Sequence, residues 1–194
     1  MKQKKIFIFV GNPDNDSFSS VLADAYRRGA EASGHTVRLT RIADVKFDPI
    51  LWKGYKKFQS LEPDLVKFQE DVKWCEHFVS IFPVWWSDMP ALMKGLVDRA
   101  WMPGFAYNFR KDTIPGWYRR LKGRSARVIV TSDSHPFLLW ILFGGNINNW
   151  VRGVLRFSGF APIRKTWLSG MKKITPMSAQ KLLIAAEQLG RKGK

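Results

Sequence analysis

Short apolar runs that read as strands alternate with longer segments of helical spacing along all 194 residues. That alternation limits the architecture more than any other feature. Lys5–Val10 is a compact apolar run closed by Gly11-Asn12-Pro13, the pattern of a buried central strand ending in a loop. Ser17 stands where it can cap a helix to about Ala32, with Val21, Leu22, Ala25 and Tyr26 at helical spacing, and Ser33-Gly34 ends it. His35–Ile42 alternates as a strand nearer the edge. Pro49, Gly54 and Pro63 make 43–63 a long, irregular connection. Beyond it the spacing predicts a helix over Asp64–Cys75, a strand over Phe78–Phe82 and a helix over Ala91–Trp101 opened by Pro90. Strands follow over Arg127–Thr131 and Pro162–Leu168, with helices over Asn146–Phe157 and Ser178–Leu189.

Such alternation requires a parallel sheet with helices on both faces. Five strands fit an α/β, flavodoxin-like three-layer sandwich of sheet order 2-1-3-4-5, taken as a single domain over 1–194. In that arrangement ligands sit beyond the carboxyl ends of the strands, so the loops after strands one, three and four matter most.

Charge is unevenly spread. Residues 1–102 hold 15 Lys and Arg against 13 Asp and Glu, whereas 103–194 hold 17 against 3. A basic face of this kind attracts nucleic acid, anionic lipid or phosphorylated small molecules. No recognised nucleic-acid motif accompanies it, so nucleic acid is not expected as a partner. The lone Cys75 excludes an internal disulfide and a cysteine-based zinc site, which fits a reducing, cytoplasmic setting. His35 and His77 lack neighbours at ligand spacing, so no metal is expected. The N-terminal apolar run is too short for a signal peptide and reads as a strand.

Three loops carry the chemistry. The first, Gly11 to Ser19, is neither a Walker loop nor a dinucleotide fingerprint, yet Ser17, Ser19 and the amides of a helix start can hold phosphate. After the third strand, Pro83-Val84-Trp85-Trp86 puts two indoles at the sheet's carboxyl end, suited to a flat ring with polar edges. After the fourth comes Thr131-Ser132-Asp133-Ser134-His135-Pro136. Gly11-Asn12-Pro13 with Ser17-Phe18-Ser19, Phe82 to Trp86 with Met89 to Gly95, and Gly104-Phe105-Ala106-Tyr107 together resemble the flavodoxin-like NAD(P)H:quinone oxidoreductases. A weaker echo lies in Phe157-Ser158-Gly159-Phe160.

The resemblance implies a dimeric flavin enzyme that passes hydride from NAD(P)H through FMN, or FAD, to a quinone-like acceptor. It implies that Asn12, Ser17, Phe18 and Ser19 sit at the flavin phosphate. Pro83, Val84, Trp85, Trp86, Thr131, Ser132 and Asp133 would then line the ring. Phe105, Ala106 and Tyr107 match the family's quinone segment, which there completes the partner subunit's pocket.

Two departures stand out. Asn12 replaces a common histidine, and the fourth loop lacks the family's Thr-Thr-Gly-Gly, so its backbone is less free to approach a ligand closely. His135, as proton donor to the quinone or partner for the flavin carbonyl, or the amides beside Ser132 and Ser134, would take over there, with Asp133 pointing away from the flavin. A second reading, from another class, is a flavin-binding ancillary subunit docked on a membrane transporter. The basic half and the apolar Phe137–Phe143 run would then form a peripheral membrane or transporter contact.

Overall fold

The structure, a computed structural model, describes residues 2–110, 116–143 and 147–194. The first strands and helices in chain order are β1 (Lys5–Val10), α1 (Phe18–Ala32), β2 (Thr36–Arg41), α2 (Pro63–Trp74), β3 (His77–Pro83) and α3 (Ala91–Ala100). A hairpin of β4 (Tyr107–Phe109) and β5 (Trp117–Arg119) precedes β6 (Ser125–Thr131) and α4 (Pro136–Phe143). A π-helix over Asn149–Arg156, then β7 (Ile163–Leu168) and α5 (Pro176–Arg191), complete the chain. Five strands pair in parallel in the order β2-β1-β3-β6-β7. With the hairpin set aside, this is the expected 2-1-3-4-5.

Period-two alternation in β1 divides the interior. Ile6, Ile8 and Val10 face an aliphatic core with Leu22, Tyr26, Val79, Ile81 and Ala186. Phe7 and Phe9 face an aromatic core with Phe68, Phe78, Trp101, Trp150 and Phe160. The buried indoles satisfy their N–H groups: Trp101 donates to Ser158 Oγ at 2.7 Å and Trp150 to Ser80 Oγ at 2.9 Å. Each such side chain contributes about 1.5–3 kcal/mol by leaving water. On the aliphatic side, Gly29 of α1 and Gly190 of α5 let the two helices touch; a Cβ on Gly190 would strike Tyr26 O and one on Gly29 would strike Glu187 O.

Three features depart from the sequence expectation. The β4–β5 hairpin was not foreseen; it is held by rings, with Tyr107 on Phe157 at 4.9 Å and Trp117 stacked on Phe157 at 4.5 Å. The helix expected over Asn146–Phe157 begins on Asn146, outside the described residues, and Asn149–Arg156 is wound as a π-helix. The i→i+5 winding brings buried Trp150 and Leu155, five apart, onto one face. Finally, the connection between β2 and α2 is irregular but fixed. Buried Arg99 of α3 donates to Asp48 O, to Ser60 O at 2.8 Å and to the Glu62 carboxylate at 2.8 Å.

Candidate functional site at the carboxyl edge of the sheet

The β1–α1 loop is a chain of local turns. Asn12 is buried, and its Oδ1 accepts from Asp14 N at 3.0 Å; Asp14 Oδ1 accepts from Asp16 N at 2.9 Å. Ser17 then caps α1, its Oγ accepting from Ser20 N. The N–H groups of Phe18 and Ser19, in the first turn of α1, make no intrahelical hydrogen bond, and such helix-start groups can hold an anion. Gly11 N donates to Ile81 O at 2.8 Å, and a Cβ on Gly11 would collide with Met93 Sδ, so this loop lies hard against α3. Asp14 and Asp16 are carboxylates that any anion here must avoid.

The β3–α3 loop turns sharply. Trp85 and Asp88 exchange both backbone hydrogen bonds, at 2.9 and 3.0 Å, with Trp86 (φ 48°) and Ser87 (φ 64°) between them in the left-handed region. Non-glycine residues there cost about 1–3 kcal/mol each, strain that structures retain mostly at functional sites. The turn throws the Trp86 indole fully into solvent, at 102% exposure. Asp88 braces it by accepting from Met89 N at 2.8 Å and Asn149 Nδ2 at 3.2 Å.

The β6–α4 loop is pinned by the segment after β7. Ser132 Oγ donates to Ser134 O and accepts from Trp167 Nε1, both at 2.7 Å. Asp133 Oδ1 accepts from Lys172 N at 2.7 Å, and Lys172 Nζ lies 3.2 Å from Asp133 Oδ2. The backbone hydrogen bond from Lys172, helped by its ammonium, holds the Asp133 carboxyl below the usual carboxylate range. His135 Nδ1 accepts from Phe137 N at 3.3 Å at the start of α4, which leaves the neutral ring's proton on Nε2.

These loops enclose two adjoining clefts. One, of about 350 Å³, lies between Pro83-Val84-Trp85 and Thr131-Ser132-Asp133, with Met171 and Lys172 on its wall. The other, of about 540 Å³, adds Trp86, Ser87, Ser134 and Leu139. Both volumes suit a small-molecule site. The structure therefore brings together the flagged residues of the third and fourth loops.

The remaining flagged residues fall elsewhere. Ser17, Phe18 and Ser19 sit at the end of the adjacent strand β1, outside the cleft lining. His135 is exposed and also outside the lining. Phe105 and Ala106 are buried in the chain's own aromatic core, Phe105 lying 5.6 Å from Trp101. Tyr107, half-buried in β4, is the residue of that segment that reaches the surface, and burial together with nearby Tyr55 raises its hydroxyl pKa. Met171, Lys172 and Leu139 were missed. The rule that ligands gather beyond strand ends applies equally to the loop after β7, and Lys172-Lys173 marks it.

Two buried groups behave as structure. The Cys75 thiol, pushed up to about 12 by burial, is unreactive. Burial, with help from nearby cations led by Lys4, pushes His77 down to about 3, so its ring is neutral beside Ser125 Oγ at 2.8 Å.

A family model described as "Flavodoxin-like fold" matches residues 4–191. The chain belongs to that family. Among curated relatives of this flavodoxin-like chain is an Escherichia coli protein named as an uncharacterized NAD(P)H oxidoreductase, 28% identical over 114 residues. The aligned region covers 55% of this chain and 57% of that protein, just over half its length. NAD(P)H dehydrogenase [quinone] 1 of Cavia porcellus is 25% identical over 195 residues, covering 89% of this chain and 71% of the relative. A solved Streptococcus mutans structure superposes with TM-score 0.82 at 28% identity, over 97% of this chain and 99% of that one.

Proposed function

We propose that the chain is a flavin-dependent oxidoreductase that takes hydride from NAD(P)H and delivers it to a quinone-like acceptor, with FMN as the flavin. The observation that carries this reading is the convergence of Pro83–Trp86 with Thr131–Asp133 around clefts at the carboxyl edge of the sheet, in a chain of this family. The relatives named NAD(P)H oxidoreductase and quinone dehydrogenase support the reaction class. They give no support to the transporter-subunit alternative.

The residues present fit a flavin. A strained turn displays an indole, a wall of backbone and small hydroxyls faces it, and a capped helix start stands at the neighbouring strand. The N–H groups of Phe18 and Ser19, with Ser17 and Ser19 hydroxyls, would take the phosphate, and Asn12 would shape that loop. Pro83, Val84, Trp85, Trp86, Thr131, Ser132 and Asp133 would line the ring. Bound FMN supplies reversible two-electron hydride acceptance, which no side chain of this protein offers.

The chain's own part is positioning and proton supply. Asp133 is held by Lys172, so its carboxylate is neutralised rather than aimed alone into the cleft. His135 lies outside the cleft lining and would have to turn toward the cleft for its Nε2–H to donate to the acceptor oxygen. Tyr107, at the surface of β4, would complete the pocket of a second copy in a homodimer.

The test is anaerobic and in two steps. NAD(P)H should bleach the absorbance of the FMN-loaded protein, and a quinone added afterwards should restore it. A loaded protein that neither reductant bleaches would overturn the proposal. Sedimentation velocity should show the homodimer, and Tyr107→Ala should slow the quinone step alone.

A further inference from the structure

The β6–α4 loop has no glycine from Thr131 to Pro136, so its own backbone has little freedom to close on a ligand. Part of the wall on that side of the cleft comes from another strand end. Met171 and Lys172, in the turn after β7, line the cleft of about 350 Å³ beside Thr131, Ser132 and Asp133.

The hydrogen bonding between β6 and β7 runs on past both strands. Ser132 N donates to Leu168 O at 2.8 Å, Gly170 N to Asp133 O at 3.1 Å and Met171 N to Ser132 O at 3.3 Å. Gly170 then takes the left-handed region, with φ 76° and ψ 29°, and starts a single 3₁₀ turn over Met171–Lys173. The first N–H groups of a helical turn have no internal acceptor. Gly170, at the capping position, has no side chain to supply one. For Lys172 the acceptor is the Asp133 carboxylate, at 2.7 Å. Asp133 thus does for a turn 39 residues away what an N-cap residue does for its own helix.

The ion pair adds less. Lys172 Nζ lies 3.2 Å from Asp133 Oδ2, but the lysine side chain is 84% exposed, and such pairs contribute little. A carboxylate accepting from a backbone N–H is the stronger contact. Gly170, Lys172 and Lys173 are exposed and give the turn no foothold in a core, whereas Met171 is half-buried on the cleft wall.

We infer that Asp133 is a positioning residue: its carboxylate caps the turn after β7 and so holds Met171 in the cleft wall, where the thioether meets the flat ring of the ligand. A polarizable thioether suits an aromatic ring. The inference rests on the flavin reading above and gives Asp133 a task that does not depend on touching the ring.

The test uses the full chain with its methionine methyl groups labelled for NMR, Met171 being assigned through Met171→Leu, and FMN as the probe. Without FMN, Asp133→Ala should speed exchange of the Lys172 amide about tenfold. Asp133→Asn keeps an acceptor oxygen and Lys172→Gln keeps the backbone donor, so both should exchange at nearly the wild-type rate. Asp133 is exposed, and each variant should keep the wild-type circular dichroism. On loading with FMN, the Met171 methyl signal should shift under the ring current in the wild type and in Asp133→Asn. In Asp133→Ala it should shift far less, and FMN affinity should fall about fivefold. Unchanged Lys172 exchange in Asp133→Ala would overturn the inference. So would equal acceleration in Asp133→Asn or Lys172→Gln, because the ion pair would then be the anchor. A Met171 methyl that ignores FMN in a wild type that binds it would overturn the inference alone. A wild type that takes up no flavin would overturn the proposed function and this inference together.

Discussion

The loops after β1 and β6 leave the same edge of the same parallel sheet and each enters a helix, yet they are built to opposite specifications. Ahead of α1, every turn is made by a short polar side chain, from Asn12 through Asp14 to the Ser17 cap, and the helix start is left polar and open. Ahead of α4, the polar groups are spent inward: Ser132 on Trp167 and Ser134, Asp133 on Lys172, His135 Nδ1 on Phe137. Helix α4 itself is apolar, with one buried residue among those described. One loop leaves a capped helix start open. The other fixes a wall and presents grease beyond it. Two loops at the same sheet edge thus use their polar side chains in opposite ways, one to shape an open helix start and one to fix a wall.

The largest expected effect lies on the β6–α4 side. His135→Asn keeps a polar side chain that can accept at the helix start but removes the imidazole N–H donor, so quinone reduction should slow about 100-fold, the lower range for a general acid. FMN affinity should barely change if its phosphate sits on the other loop, as proposed. Equal rates with the quinone step measured alone would return His135 to a purely structural role.

Next is a control on the scaffold beneath both loops. His77 is neutral in the folded chain, with a pKa near 3, and free to protonate once unfolded. The unfolded state therefore binds more protons below pH 6.5, and stability should fall as the pH drops through that range by about 1.4 kcal/mol per unit. Urea titrations at pH 7 and pH 5 measure this, and His77→Phe should flatten the slope. Neither loop should be favoured.

Ser17→Asp attacks the β1–α1 side selectively. Aspartate caps a helix as well as serine and suits the positive end of its dipole, so the thermal midpoint should hold. A carboxylate beside a flavin phosphate should nevertheless weaken FMN binding about tenfold or more. Unaltered FMN affinity would mean that the phosphate does not sit at the start of α1.

The smallest effect is at Trp86. Trp86→Gly relieves a left-handed φ of 48° and should stabilise the fold by about 1 kcal/mol. FMN affinity should fall about three- to tenfold with loss of the aromatic face. A change of the same sign in both would show that the strain serves no ligand.

Sequence reading reached the parallel sheet and its order because apolar runs of β1, β3 and β6 are buried on both faces and leave an unmistakable pattern. It found Ser17 as a cap and the carboxyl-edge loops for the same reason: both follow from local spacing. The β4–β5 hairpin was hidden because three-residue strands held by Tyr107, Trp117 and Phe157 rely on ring contacts distant in sequence, not on periodicity. Lys172 escaped because its role depends on a hydrogen bond to Asp133, 39 positions earlier. Phe105 and Ala106 follow the family motif, but only packing shows that both are buried while Tyr107 reaches the surface.

The central claim is that the edge shared by these loops holds a flavin, and equilibrium loading tests it most directly. Purified protein is stripped, incubated separately with FMN and FAD, freed of excess ligand, then denatured for mass analysis of what it releases. The account predicts about one FMN per chain, with uptake weakened by Ser17→Asp and by Trp86→Gly. Uptake of neither flavin would contradict it.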